Sequence, residues 1–96
     1  MSTTGTEINN FLSGVDLQIF PNPTRGITNF KLSGDVLIEG ELILTDSRGQ
    51  MIFNAKHLHE GGVSFREFDF SKYSPGVYYL RLVSENYLNI QKIVVK

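Results

Sequence analysis

An all-β fold, a seven-stranded antiparallel β-sandwich of immunoglobulin-like type, is what this sequence predicts. Three observations carry the expectation. From Leu17 onward apolar residues recur with a period of two, the period of half-buried strands. Turn signals interrupt these stretches about every 8–12 residues, as in sandwiches and barrels. No window holds an apolar stripe at helical spacing free of Gly or Pro, so no helix of normal length is expected.

The elements follow in order. Residues 1–16 read as a linker or frayed arm, rich in Ser, Thr, Gly and Asn, with Ile8, Phe11, Leu12 and Val15 as apolar anchors. The domain is assigned to residues 17–96. Its expected strands are Leu17–Phe20, Ile27–Leu32, Gly40–Asp46, Gln50–Ala55, Ser64–Phe70, Val77–Ser84 and Leu88–Val95. Thr28, Phe30 and Leu32 share one strand face, as do Leu42 and Leu44, and Tyr78, Leu80 and Leu82. Phe30, Leu44, Tyr78, Leu80 and Leu82 are therefore the expected core, with Arg81 pointing out. The last strand closes the chain at Lys96, so its end is expected to be part of the fold.

The turns have specific chemistry. Pro21-Asn22-Pro23 fixes two φ angles and removes two N–H donors, which predicts a rigid, non-pairing corner after the first strand. Gly26 is expected to supply a positive φ beyond it. Asp46-Ser47-Arg48-Gly49 reads as a hairpin with a type I turn and Gly49 in the left-handed region. Ser74-Pro75-Gly76-Val77 reads as a type II turn with Gly76 at its third position. Gly61-Gly62 separates the fourth and fifth strands.

Composition bounds the function classes. The 96 residues suffice for one domain. A net charge of −1, with basic residues scattered, gives no footprint for nucleic acid. With no cysteine, disulfides and thiolate metal sites are excluded. No apolar run is long enough to span a bilayer as a helix. The start, Met1-Ser2-Thr3-Thr4-Gly5, lacks the basic and apolar regions of a signal peptide.

Candidate chemistry is thin. His57 and His59, beside Glu60, have the spacing of a metal pair, but no third His or any Cys joins them, and a solvated loop is the plainer reading. Glu67 with Asp69, and Glu39 with Glu41, share strand faces; paired carboxylates serve glycoside hydrolysis when they flank a cleft, but on antiparallel strands they are usually the outward face. No Ser lies in a nucleophile elbow. Tyr73, Tyr78, Tyr79 and Tyr87 are candidates for a stacking platform, although Tyr78 reads as core and Tyr79 as a sheet-face residue. The chain is expected to be no enzyme and to carry no cofactor or metal. Lys92 and Lys96 have two readings: charges that keep an apolar strand from mispairing, or charges presented to a receptor.

From Leu17 to Lys96 the sequence resembles the C-terminal sorting domain of proteins exported by the type IX secretion system of Bacteroidetes. The match is carried by Ile19-Phe20-Pro21-Asn22-Pro23-Thr24 followed by Gly26, and by the Asp46-Ser47-Arg48-Gly49 turn. It continues through Phe68-Asp69-Phe70-Ser71 into Pro75-Gly76-Val77-Tyr78, and ends on Lys92-Ile93-Val94-Val95-Lys96. Phe70 departs from the Leu usual there, and Phe65 and Phe68 add aromatic bulk. The resemblance implies an address. Such a domain follows a cargo protein and is recognised by the outer-membrane translocon and a shuttle barrel. A sortase usually removes it near its N-terminal boundary, which would place the cut in or beside residues 2–16. Transit would run through the periplasm to the cell surface or the medium. An adhesive or carbohydrate-binding sandwich of a surface protein is the alternative, and would need an exposed aromatic patch.

Overall fold

The computed structural model describes residues 14–85 and 87–96. Most of the expected N-terminal arm, with Ile8, Phe11 and Leu12, lies outside the described residues. Within them, alternating side chains build seven strands: β1 (Asp16–Phe20), β2 (Ile27–Ser33), β3 (Leu37–Asp46), β4 (Met51–Glu60), β5 (Val63–Asp69), β6 (Gly76–Val83) and β7 (Leu88–Val95). They pair antiparallel in two sheets, β1-β2-β5 and β4-β3-β6-β7. Asp16 therefore belongs to a strand rather than to the arm, and Val15 packs against the core.

The period of two decides what lies between the sheets. Thr28, Phe30 and Leu32 of β2 are 0% exposed. Leu42, Leu44, Tyr78, Leu80, Leu82 and Ile93 meet them from the larger sheet. Phe70, Tyr73 and Tyr78 stack at one end of this core, with ring centroids 5.3–6.0 Å apart.

β3 and β4 are longer than the sequence predicts. β3 begins at Leu37 rather than Gly40, and β4 ends at Glu60 rather than Ala55. Gly40 interrupts the apolar alternation because a Cβ there would stand 2.9 Å from the Val83 carbonyl oxygen. Across from it, His57 and His59 occupy inward positions where an apolar residue is expected, so Ile38 is buried opposite His59.

The hairpin forms as predicted, with Gly49 at φ 87° and its N–H donating to the Asp46 carbonyl at 3.0 Å. Two other turn expectations are corrected. Gly76 has φ 153°, far from the value of about 80° that a type II turn needs, and opens β6 opposite Val95. The turn lies earlier, where Tyr73 N–H donates to the Phe70 carbonyl at 2.9 Å. Gly26 has no positive φ. The Thr24 hydroxyl accepts from Gly26 N–H and donates to the Ile27 carbonyl, so a side chain organises that bend instead.

Candidate recognition site

β7 is an edge strand of the four-stranded sheet, and its alternation separates two roles. Ile93 and Val95 point inward and are 0% and 5% exposed. Lys92, Val94 and Lys96 alternate with them on the opposite face, with Lys92 and Val94 half-buried and Lys96 exposed. Four residues of strand put the two lysine Cα atoms about 13 Å apart.

The free side of β7 does not stay free. The Pro21-Asn22-Pro23 corner, expected to pair with nothing, lies against it. Asn22 Nδ2 donates to the Lys92 carbonyl at 2.7 Å, and Asn22 Oδ1 accepts from Val94 N–H at 2.9 Å. Thr24 continues the contact, its N–H donating to the Val94 carbonyl at 2.9 Å and its carbonyl accepting from Lys96 N–H at 2.8 Å. This is a parallel bridge between Thr24 and Val95. The correction has a simple cause. Proline removes the main-chain donors at residues 21 and 23, but the Asn22 side-chain amide offers N–H donors and a carbonyl acceptor in peptide-like geometry, and uses one of each here. Asn22 thus takes the place of an absent strand. Both Phe20-Pro21 and Asn22-Pro23 are cis, and the Pro21 carbonyl accepts from the buried Thr28 hydroxyl at 2.7 Å.

The remaining motif residues fasten other corners. Asp46 Oδ1 accepts from the Arg48 and Gln50 amides at 2.9 and 3.0 Å. The Gln50 amide foremost holds that carboxyl below its ordinary range. Asp69 Oδ1 accepts from Ser71 N–H at 2.9 Å, which lowers its pKa likewise. The Tyr78 hydroxyl donates to the Ser74 carbonyl at 2.6 Å, so the core tyrosine also ties down the loop before its strand. The ammonium groups of Lys92 and Lys96 differ from all of these. Among the described residues neither has a hydrogen bond or an ion pair; the ion pair found there joins Arg48 to Asp46.

The candidates for chemistry are dispersed. His57 and His59 are not in a solvated loop; they lie on β4, 7% and 0% exposed. His59 Nε2 donates to the Gly34 carbonyl at 2.9 Å, and its Nδ1 lies 2.8 Å from the Ser64 hydroxyl. Ser64 Oγ is also hydrogen-bonded to His57 Nε2 at 3.0 Å. This polar chain joins the edge strands of the two sheets. Burial first, then the charge of Arg66 and the neighbouring His59, hold the His57 imidazole below its ordinary pKa. Arg66 also points inward and donates to the Lys56 carbonyl at 3.3 Å. No group of three or more His, Cys, Asp or Glu comes together among the described residues. Glu67 and Asp69 are exposed on the outer face of the three-stranded sheet, far from Glu39 and Glu41 on the other. Among the described residues the four tyrosines form no platform, because Tyr73 and Tyr78 stack inward on Phe70 and Tyr87 is buried.

The sequence carried no signal for the Asn22 clamp except the unusual placing of a polar residue between two prolines. Comparison with known families supplies the context. The family described as the secretion system C-terminal sorting domain matches residues 18–96. No curated protein matches the chain.

Proposed function

Because this chain belongs to the secretion system C-terminal sorting domain family and so carries a type IX secretion signal, we propose that it is read at its folded C-terminal strand. In this reading Lys92 and Lys96 are offered as paired cations to an acidic surface of the export machinery. The domain catalyses nothing itself. It follows a cargo protein, and a sortase removes it within or beside residues 2–16. The family implies export across the outer membrane to the cell surface or the medium; passage through the periplasm precedes it.

One observation carries the lysine assignment. Asn22, Thr24, Asp46, Asp69 and Tyr78 each satisfy a main-chain group within the fold, whereas the Lys92 and Lys96 ammonium groups have no such partner among the described residues. A charge without an internal task, held on an ordered strand, is suited to an external one.

The test is a reporter fused ahead of residue 1 in a type IX-competent bacterium. The parent domain is expected to bring it to the surface. Lys92→Glu with Lys96→Glu leaves Ile93 and Val95 in the core, so the domain should fold while the reporter accumulates in the periplasm. Equal surface delivery by the folded double variant refutes the lysine step. If the parent domain directs no export, the sorting role itself fails and the adhesive sandwich becomes the better account.

A further inference from the structure

We propose that the docking surface extends past the terminal lysines across the outer face of the four-stranded sheet, and that it fits a protein surface combining carboxylates with apolar side chains. The inference rests on the sorting reading above and names the surface that reading uses.

Register defines the surface. On the outer face Val94 lies opposite Val77, Lys92 opposite Tyr79, and Ile90 opposite Arg81, which in turn lies opposite Ile43 of β3. Each apolar member of these rows is only half-buried. None belongs to the core or to the partly buried residues packed against it. They are apolar positions that folding leaves uncovered on one side. Val, Ile and Tyr suit a strand by propensity, but propensity does not require apolar residues at successive outward positions on adjacent strands.

Charge selects the partner. Arg81 is exposed one strand and one row from Lys92, so roughly 8 Å separates their Cα atoms. With Lys96 they make three cations around the apolar rows. No ion pair among the described residues engages any of them. The nearest carboxylate on this face, Glu41, turns toward β4, where Oε2 accepts from Asn54 Nδ2 at 2.8 Å. Glu39 and Glu60 lie farther along the same face, opposite Leu58 and Leu37. Lys56, exposed on β4, lies opposite Glu41, so the face is cationic toward the chain end, mixed at Glu41, and acidic only at Glu39 and Glu60. An acidic partner is attracted to one end and repelled from the other, which sets its register as well as its affinity.

The experiment uses the same surface-delivery reporter. Arg81→Glu with Ile90→Thr alters the face without touching either lysine, and Lys31→Glu, on the outer face of the three-stranded sheet, is the control. The first variant should lower surface delivery by about tenfold or more, with the control at the parent level. Circular dichroism of the 96-residue chain checks folding; should the double variant not fold, Arg81→Glu alone is read, since that side chain is exposed. Parent-level delivery by the folded variant, alongside a block by the lysine reversals, overturns this inference and leaves the sorting reading intact. If the parent domain exports nothing, both fall. Sedimentation gives a separate outcome: a dimer dissolved by Arg81→Glu would seat a second copy head to tail on this face and also overturn the proposal.

Discussion

Replacing Asn22 by Ala isolates the contact between the proline corner and the last strand. The change removes two hydrogen bonds, to the Lys92 carbonyl and from the Val94 N–H. Each is worth about 0.5–1.5 kcal/mol net. Both main-chain groups lie at a strand edge and can turn to water once the amide is gone, which puts the combined loss near the low end, about 1–2 kcal/mol. For a domain of this size that lowers Tm by roughly 5–12 °C. Amide exchange gives the sharper measurement. Val94 N–H has Asn22 Oδ1 as its acceptor, so its protection should fall by about tenfold, while Leu80 in the centre of β6 stays protected up to global unfolding. Asn22→Asp keeps an acceptor for Val94 and loses the donor to Lys92, so it should retain Val94 protection yet still melt below the parent. Unchanged Val94 exchange in Asn22→Ala would refute the clamp. A loss of protection at Leu80 with none at Val94 would show that the residue acts on global stability alone.

Two further outcomes follow from the core and from the histidine chain. Phe30→Ala should cost about 3–5 kcal/mol by chemical denaturation, because the ring is fully buried and stands edge-to-face on His57 at 5.1 Å; a loss below 1 kcal/mol, about that of a surface change, would contradict the packing. Since the folded pKa of His57 is lowered from its ordinary 6.5, the unfolded chain binds more protons in that range. The neutral imidazole's contribution is then fully present above pH 6.5 and is lost as pH falls toward the folded value. Stability should decline more steeply from pH 7 to 5 in the parent than in His57→Gln, and equal slopes would remove His57 from the account.

Legibility in the sequence tracked how local the controlling physics is. Strands β2, β6 and β7 were readable to within about a residue or two at each end, because their alternation is unbroken and turn residues bound them. The Asp46–Gly49 hairpin was readable because its hydrogen bonds lie within five residues. β3 and β4 are longer than the sequence suggests because Gly40 and the two histidines look like breakers, and their fitness for the interior depends on Val83 and Gly34, distant in sequence, and on Ser64 across the next turn. The proline corner shows the same limit. Proline chemistry accounts for its lack of main-chain donors, but the strand that Asn22 meets lies 70 residues away.

The two ends of the resemblance are therefore one physical object. β1 and β7 belong to different sheets, and the corner after β1 is what joins the first sheet to the last strand. β6 holds one side of β7 in a full ladder, while Asn22 and Thr24 hold the other side over residues 92–96. Ordering a chain end costs about 1–2 kcal/mol per residue of backbone. A terminal segment left frayed would incur that cost at the moment of binding and weaken its recognition. With the clamp in place, the ordering belongs to folding, and the lysine-bearing face is presented at fixed spacing before any partner arrives. On the proposed lysine reading, recognition depends on the proline corner as much as on Lys92 and Lys96. Loosening Asn22 should weaken export without altering a single charge, whereas reversing Lys92 and Lys96 should weaken it without loosening the strand.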